Sequence, residues 1–155
     1  MKLAYTHFDA QEFRSTLRSK AGRAAAAPIV VLHGLFGSGK NWKSIARPLS
    51  QEREVYTLDL RSHGGSPPGK LSYEALVGDL AEFVRDRGIE KPVLLGHSLG
   101  GKTAMRYVRD NPDAASALVI ADVTPFEMPD TVCRGLQSIG RAIVETAPGA
   151  AALSK

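Results

Sequence analysis

The sequence predicts an α/β fold with a mainly parallel sheet and helices on both faces. Three short, continuous apolar runs, at residues 28–32, 92–95 and 117–122, have the composition of strands buried on both faces. Segments with apolar residues at helical spacing separate these runs, and such alternation is typical of βαβ units. With 155 residues, the chain is long enough to form one domain with a sizeable core.

The remaining elements complete this pattern. Residues 3–8 alternate apolar and polar side chains like an edge strand, and residues 54–59 form the next predicted strand. Helices are predicted over residues 41–49, 72–87, 103–110 and about 130–146. The first helix should bury one face, made of Trp42, Ile45, Ala46 and Leu49. The second should bury the stripe Leu76, Leu80, Phe83 and Val84, with Ser72 as its cap and Gly88 at its end.

Composition and charge exclude several classes of protein. Apolar residues make up 43% and charged residues 23%, as in ordinary globular proteins, so disorder is not expected as the main state. The net charge is +4, but the basic residues are scattered, so no nucleic-acid partner is expected. No apolar run is long enough to predict a transmembrane segment. The single cysteine, Cys133, cannot form an internal disulfide and is interpreted as a packing residue.

The strongest chemical signal is a G-x-S-x-G pattern, Gly96-His97-Ser98-Leu99-Gly100, between a predicted strand and a helix. A nucleophile elbow has this form, because a sharp turn there holds a serine Oγ clear of the sheet. Gly96 and Gly100 remove side chains that would collide where strand and helix approach. The pattern is short, but its position favours Ser98 as the nucleophile of an acyl-transfer reaction over an ordinary βα turn.

A second signal is His33-Gly34 at the end of an earlier predicted strand. Acyl transfer needs two backbone N–H groups that point at the developing oxyanion. One should belong to Leu99, which follows the nucleophile, and Leu35 is the best candidate for the other. We interpret His33 as a structural residue that holds the loop and does not move protons.

The same loop allows a rival interpretation. The segment from Gly34 to Lys40 satisfies the phosphate-binding pattern G-x-x-x-x-G-K after a strand and before a helix. Asn41 stands where magnesium binding requires serine or threonine, which weakens this P-loop hypothesis. Nucleotide binding also leaves the serine turn unexplained.

Four segments in order carry a resemblance to a known family: HGLFGS at 33–38, DLRSHG at 59–64, GHSLGGKTAM at 96–105 and DVTP at 122–125. From about residue 3 to residue 126 the chain resembles the α/β-hydrolases, in the subgroup that contains abhydrolase domain-containing protein 11 and yeast ethanol acetyltransferase. The resemblance implies an α/β-hydrolase fold and a Ser-Asp-His triad. Ser98 is then the nucleophile and Asp122 the acid. Asp122 could instead brace a loop, since other α/β-hydrolases take the acid from a later strand.

Two departures from the family pattern stand out. Gly65 replaces an acidic residue of the family's loop. More important, the family's catalytic histidine follows its last strand, and none of His7, His33, His63 and His97 occupies that place. The chain therefore looks C-terminally truncated, with residues 1–125 as the first part of the core domain and 126–155 as the start of a lid. A non-catalytic isoform or fragment is the alternative.

The resemblance also implies the chemistry and the surroundings of the site. It implies a small ester or thioester as substrate and neither a metal nor an organic cofactor. It implies mitochondria in eukaryotes and cytoplasm in bacteria. Because the later strands would be missing, we expect an exposed sheet edge and self-association through it.

Overall fold

The computed structural model describes residues 1–10 and 26–123. The predicted lid segment 126–155, the predicted helix at 130–146 and Cys133 lie outside the described residues. Residues Met1–Val123 form one compact unit. Within the described ranges, no helix is long and apolar enough to cross a membrane.

Within residues 1–10 and 26–123 the sheet has five strands, in the order β1-β3-β2-β4-β5. They are β1 (Tyr5–Phe8), β2 (Ile29–Leu32), β3 (Val55–Leu58), β4 (Val93–His97) and β5 (Ala117–Ala121). Only the edge strand β1 runs antiparallel to its neighbour, and the other pairings are parallel. The prediction of a mainly parallel sheet is therefore confirmed, as is the edge position of the first strand.

In the part of the chain that the structure describes, three α-helices connect strands: α1 (Lys43–Leu49), α2 (Tyr73–Asp86) and α3 (Leu99–Asp110). A 3₁₀ turn at Gly39–Trp42 leads into α1. The Ser72 hydroxyl accepts a hydrogen bond from the N–H of Ala75 at 3.3 Å and caps α2 as predicted. Helix α3 begins at Leu99, four residues before the predicted start, so the glycines after Ser98 belong to the helix and not to a turn.

The sheet is covered on both faces because strand residues alternate between two clusters. Val30 and Leu32 of β2 join the larger cluster, which contains the predicted stripe of α2 together with Ala104 and Tyr107 of α3. Ile29 and Val31 join a second cluster with Ala46 of α1. One core prediction is wrong, since Ile45 points away from this cluster and is 46% exposed.

Strand β5 also departs from the prediction of a fully buried strand. Leu118 is 37% exposed and Val119 is 47% exposed, because β5 forms an edge of the described sheet. An apolar run predicts a strand but does not distinguish a central strand from an edge strand. The exposed edge expected from the sequence is present in the described part of the chain.

Candidate active site

Ser98 occupies the turn between β4 and α3. Its φ of 48° and ψ of −112° fall outside the usual regions for a residue with a side chain. The N–H of Ser98 donates to the carbonyl of Ala121 at 3.1 Å, which ties the turn to the end of β5. The N–H of Lys102 donates to the carbonyl of Ser98 at 3.0 Å and starts the hydrogen-bond pattern of α3. A strained backbone held by its surroundings is typical of a functional turn.

Glycines allow this turn to fit against the sheet. A Cβ on Gly100 would lie 2.4 Å from the carbonyl oxygen of Leu32 in β2. A Cβ on Gly96 would lie 2.6 Å from the carbonyl oxygen of Gly100. Any side chain at either position would therefore push α3 away from the strands that position Ser98.

Several N–H groups of the loop after β2 are already engaged in hydrogen bonds. The N–H of Phe36 donates to Nε2 of His63 at 3.2 Å, and the N–H of Gly37 donates to the carbonyl of Gly34 at 3.0 Å. Among the described residues, the N–H of Leu35 has no acceptor. Leu99 is the first residue of α3, where N–H groups lack intrahelical partners. These two N–H groups are the predicted oxyanion donors, and their role stays a prediction.

Both ring nitrogens of His33 are engaged in hydrogen bonds. Its Nε2 accepts from the N–H of Leu60 at 3.0 Å, so Nδ1 carries the proton and donates to the carbonyl of Gly34 at 2.7 Å. The side chain is 1% exposed, and burial lowers the pKa of His33. A neutral imidazole joins the end of β2 to the segment after β3 and fits the predicted loop-holding role.

His63 and Asp59 also form hydrogen bonds to the loop after β2. Nδ1 of His63 donates to the carbonyl of Arg61 at 2.8 Å, which leaves Nε2 as the acceptor for the loop. Asp59 accepts from the N–H of Gly39 at 2.7 Å through Oδ1 and from the N–H of Gly65 at 2.8 Å through Oδ2. The sequence placed both side chains in a family motif but did not reveal these bonds.

Asp122 lies directly after β5, beside the turn that carries Ser98. Its carboxylate is 89% exposed, and its Oδ2 lies 3.5 Å from Nε2 of His97. The imidazole of His97 lies at the same site. A Cβ on Gly34 would lie 2.6 Å from Nδ1 of His97 and 3.3 Å from Cβ of Ser98. The structure thus brings the predicted nucleophile, acid and loop to one edge of the sheet.

Of the four histidines, His33, His63 and His97 lie at the loop after β2 or beside the Ser98 turn. His7 lies on β1, where its ring stacks on Tyr56 at a centroid distance of 4.4 Å. Nε2 of His7 lies 3.9 Å from Oε2 of Glu54. His7 therefore lies on the sheet away from the turn that carries Ser98.

Comparison with known proteins identifies the family. Residues 27–140 match the family described as the alpha/beta hydrolase fold. The chain belongs to the α/β-hydrolase family. Among solved structures, one described as a marine microorganism esterase superposes with a TM-score of 0.76 at 33% identity, over 96% of this chain and 52% of that one.

Curated relatives match about two thirds of this chain. The sn-1-specific diacylglycerol lipase ABHD11 of Mus musculus is 45% identical over 107 residues, which are 67% of this chain and 35% of the relative. A probable alcohol acetyltransferase of Saccharomyces cerevisiae is 41% identical over 107 residues, 65% of this chain and 31% of the relative. The chain thus spans about a third of the length of these relatives.

Proposed function

We propose that this chain carries the nucleophile and the acid of a serine hydrolase or acyltransferase that acts on small esters or thioesters. The backbone of Ser98 carries the proposal, since it stands in an unusual conformation between a parallel strand and a helix. The likeness to an esterase, a lipase and a probable acetyltransferase supports this class of substrate.

In the proposed reaction, Oγ of Ser98 forms a bond to the substrate carbonyl carbon, and the hydroxyl proton passes to a histidine. The N–H groups of Leu35 and Leu99 donate to the oxyanion. The carbonyl–oxygen or carbonyl–sulfur bond then breaks, and the leaving group takes the proton from the histidine. Water or an alcohol removes the acyl group from Ser98 by the same steps in reverse.

Asp122 is proposed to orient that histidine. Its carboxylate stands at the carboxyl edge of the sheet, where ligands bind in open α/β folds. His33 and His63 cannot serve as the base while both of their ring nitrogens hold loop groups. The proposed mechanism therefore takes its base from a histidine other than these, in the place that the family resemblance implies.

The contacts of Asp59 weigh against the P-loop alternative. A phosphate-binding loop needs free backbone N–H groups, and here the N–H of Gly39 already donates to a carboxylate. The 3₁₀ turn that follows and the seven-residue α1 provide no long helix at the loop. Calorimetry with ATP and Mg²⁺ should accordingly show no binding, and measurable binding would revive the nucleotide hypothesis.

Labelling with a fluorophosphonate tests the nucleophile. If any serine reacts it should be Ser98, because Ser98 alone among the described serines stands on the turn between β4 and α3. The Ser98→Ala variant should lose the label, and Ser116→Ala, at an exposed serine, should keep it. Peptide mapping that finds the label elsewhere, with Ser98 unmodified, contradicts the assignment.

Turnover tests the need for a further histidine. Without a positioned base, hydrolysis should fall on the order of 10³-fold or more below that of a complete triad. The 155-residue chain should therefore hydrolyse p-nitrophenyl acetate at nearly the rate of its Ser98→Ala variant. Turnover that depends on Ser98 and disappears in His97→Gln would instead assign the base to His97.

A further inference from the structure

An apolar cavity lies beside the loop that follows β2. Its volume is about 410 Å³, near the lower end of the range for small-molecule sites. Its apolar walls are Leu35 and Phe36 of the loop, Trp42 at the start of α1 and Ile45 within α1. A larger cavity of about 580 Å³ lies at the opposite, amino ends of the strands, next to Pro28 and Ser116.

The smaller cavity adjoins the proposed reaction centre. Gly34 and His97 line it, and Cβ of Ser98 lies 3.3 Å from the position of a Cβ on Gly34. Leu35, whose N–H is the proposed oxyanion donor, forms part of its wall. A group bonded to the reacting carbonyl carbon would therefore reach the cavity directly.

The chemistry of the walls selects an uncharged hydrocarbon. No Lys, Arg, Asp or Glu is among the described residues that line the cavity. Phe36 is 55% exposed and Ile45 is 46% exposed, so a bound chain would cover apolar surface that now faces water. We propose that this cavity binds the straight acyl chain of the ester, an inference that rests on the proposed function.

The acyl chain fits better here than the alcohol part. The leaving alcohol must receive a proton from the base, and the base is proposed to lie at Asp122. His97 lines the cavity and its Nε2 lies 3.5 Å from Oδ2 of Asp122, which does not itself line the cavity. The cavity is therefore on the side of the carbonyl carbon away from proton transfer, where the acyl chain stays while the leaving group is exchanged.

Trp42 makes occupancy of the cavity measurable without catalysis. It is the only tryptophan in the chain, so its fluorescence reports on this site alone. The experiment titrates the Ser98→Ala chain with methyl esters of straight-chain acids and, separately, with acetate esters of straight-chain alcohols. Ser98→Ala prevents turnover, so the binding result does not depend on whether Ser98 is the nucleophile.

In the methyl ester series, the dissociation constant should fall about fourfold for each added methylene until the cavity is filled. The acetate series should show little dependence on length. Ile45→Ala should weaken binding of the longer methyl esters several-fold, whereas Leu71→Ala should not change it. Leu71 is the matched control because it is an aliphatic residue of similar exposure, 44% against 46%, and does not line the cavity.

Three results would overturn the inference. Length dependence confined to the acetate series would assign the cavity to the alcohol part. Fluorescence that does not respond to either series, or equal effects of Ile45→Ala and Leu71→Ala, would remove the site. Circular dichroism checks that both variants are folded, and Ile45→Val provides a smaller change with the same expected direction. Fluorophosphonate label mapped to another serine, with Ser98 unmodified and ester binding retained, would overturn the proposed function and leave the cavity as a binding site.

Discussion

The two sides of Ser98 are built differently. On the side of β2, the loop is held by His33, His63 and Asp59 through hydrogen bonds of 2.7–3.2 Å. On the side of β5, Asp122 is 89% exposed, and its described ionic neighbour is His97 at 3.5 Å. The loop side is thus part of the folded core, whereas the acid side is open. Substitutions on the loop side should therefore affect folding, and those on the acid side should affect mainly chemistry.

The largest effect is expected where α3 meets β2. Gly100→Ala should lower the free energy of unfolding by roughly 3 kcal/mol or more, because its Cβ would collide with the Leu32 carbonyl. Gly78→Ala in α2 is the control, since no atom lies within 4 Å of its Cβ position. The control should gain about 0.5–1 kcal/mol. Urea unfolding measures both, and equal stability of the two variants would show that the elbow does not depend on this contact.

The next prediction compares a residue on the loop side of Ser98 with a residue on its acid side. His33→Ala should cost about 2–3 kcal/mol, because it removes two buried hydrogen bonds and leaves the N–H of Leu60 without its acceptor. Asp122→Asn should change stability by no more than about 0.5 kcal/mol, as is usual for an exposed side chain. Thermal unfolding of the two variants provides the measurement. A large loss in Asp122→Asn would mean that this residue braces the fold.

A smaller effect concerns pH. Because burial lowers the pKa of His33, the unfolded chain binds more protons than the folded chain below the ordinary histidine pKa of about 6.5. Stability due to this group should be complete above that pH and should fall as the pH decreases toward the folded pKa. His33→Gln should remove this part of the pH dependence. Urea unfolding at several pH values tests it, and an identical pH dependence in wild type and variant would assign the acid sensitivity to other groups.

The smallest effect on stability is expected at the free edge of the sheet. Val119→Lys in β5 should change unfolding by no more than about 0.5 kcal/mol, because Val119 is 47% exposed. The same change should reduce self-association, since a charge on an edge strand opposes pairing between chains. Sedimentation of both proteins measures this, and association that persists unchanged in the variant would exclude β5 as the contact.

Much of the fold could be predicted because local pattern and tertiary structure agree. The β-branched run of β2 and the stripe of α2 are buried as their spacing predicts. The start of α3 was missed because Gly100 and Gly101 have low helix propensity, and packing against β2 overrides it. The exposure of β5 could not be read from its apolar composition, which is the same for central and edge strands.

The site was less accessible to sequence reasoning than the fold. The motif predicted the position of Ser98, but Ile45 was assigned to the core when it lines an open cavity. Not every residue on the apolar face of a helix is buried, because burial depends on which neighbouring elements cover that face. The engagement of Phe36 by His63 depends on two loops that lie 27 residues apart in the sequence, and no local pattern encodes such a contact.

The carboxylate of Asp59 also has a consequence for what the loop after β2 can bind. The G-x-x-x-x-G-K pattern indicates where backbone N–H groups can lie, but a phosphate can bind there only if those N–H groups have no other acceptor. Here one oxygen of the Asp59 carboxylate accepts from the N–H of Gly39, and the other oxygen accepts from the N–H of Gly65. A loop with this sequence pattern can therefore either bind phosphate or connect two loops of the protein through hydrogen bonds. In this chain the hydrogen-bonded arrangement depends on the side chain of Asp59, which lies 20 residues after Gly39 in the sequence.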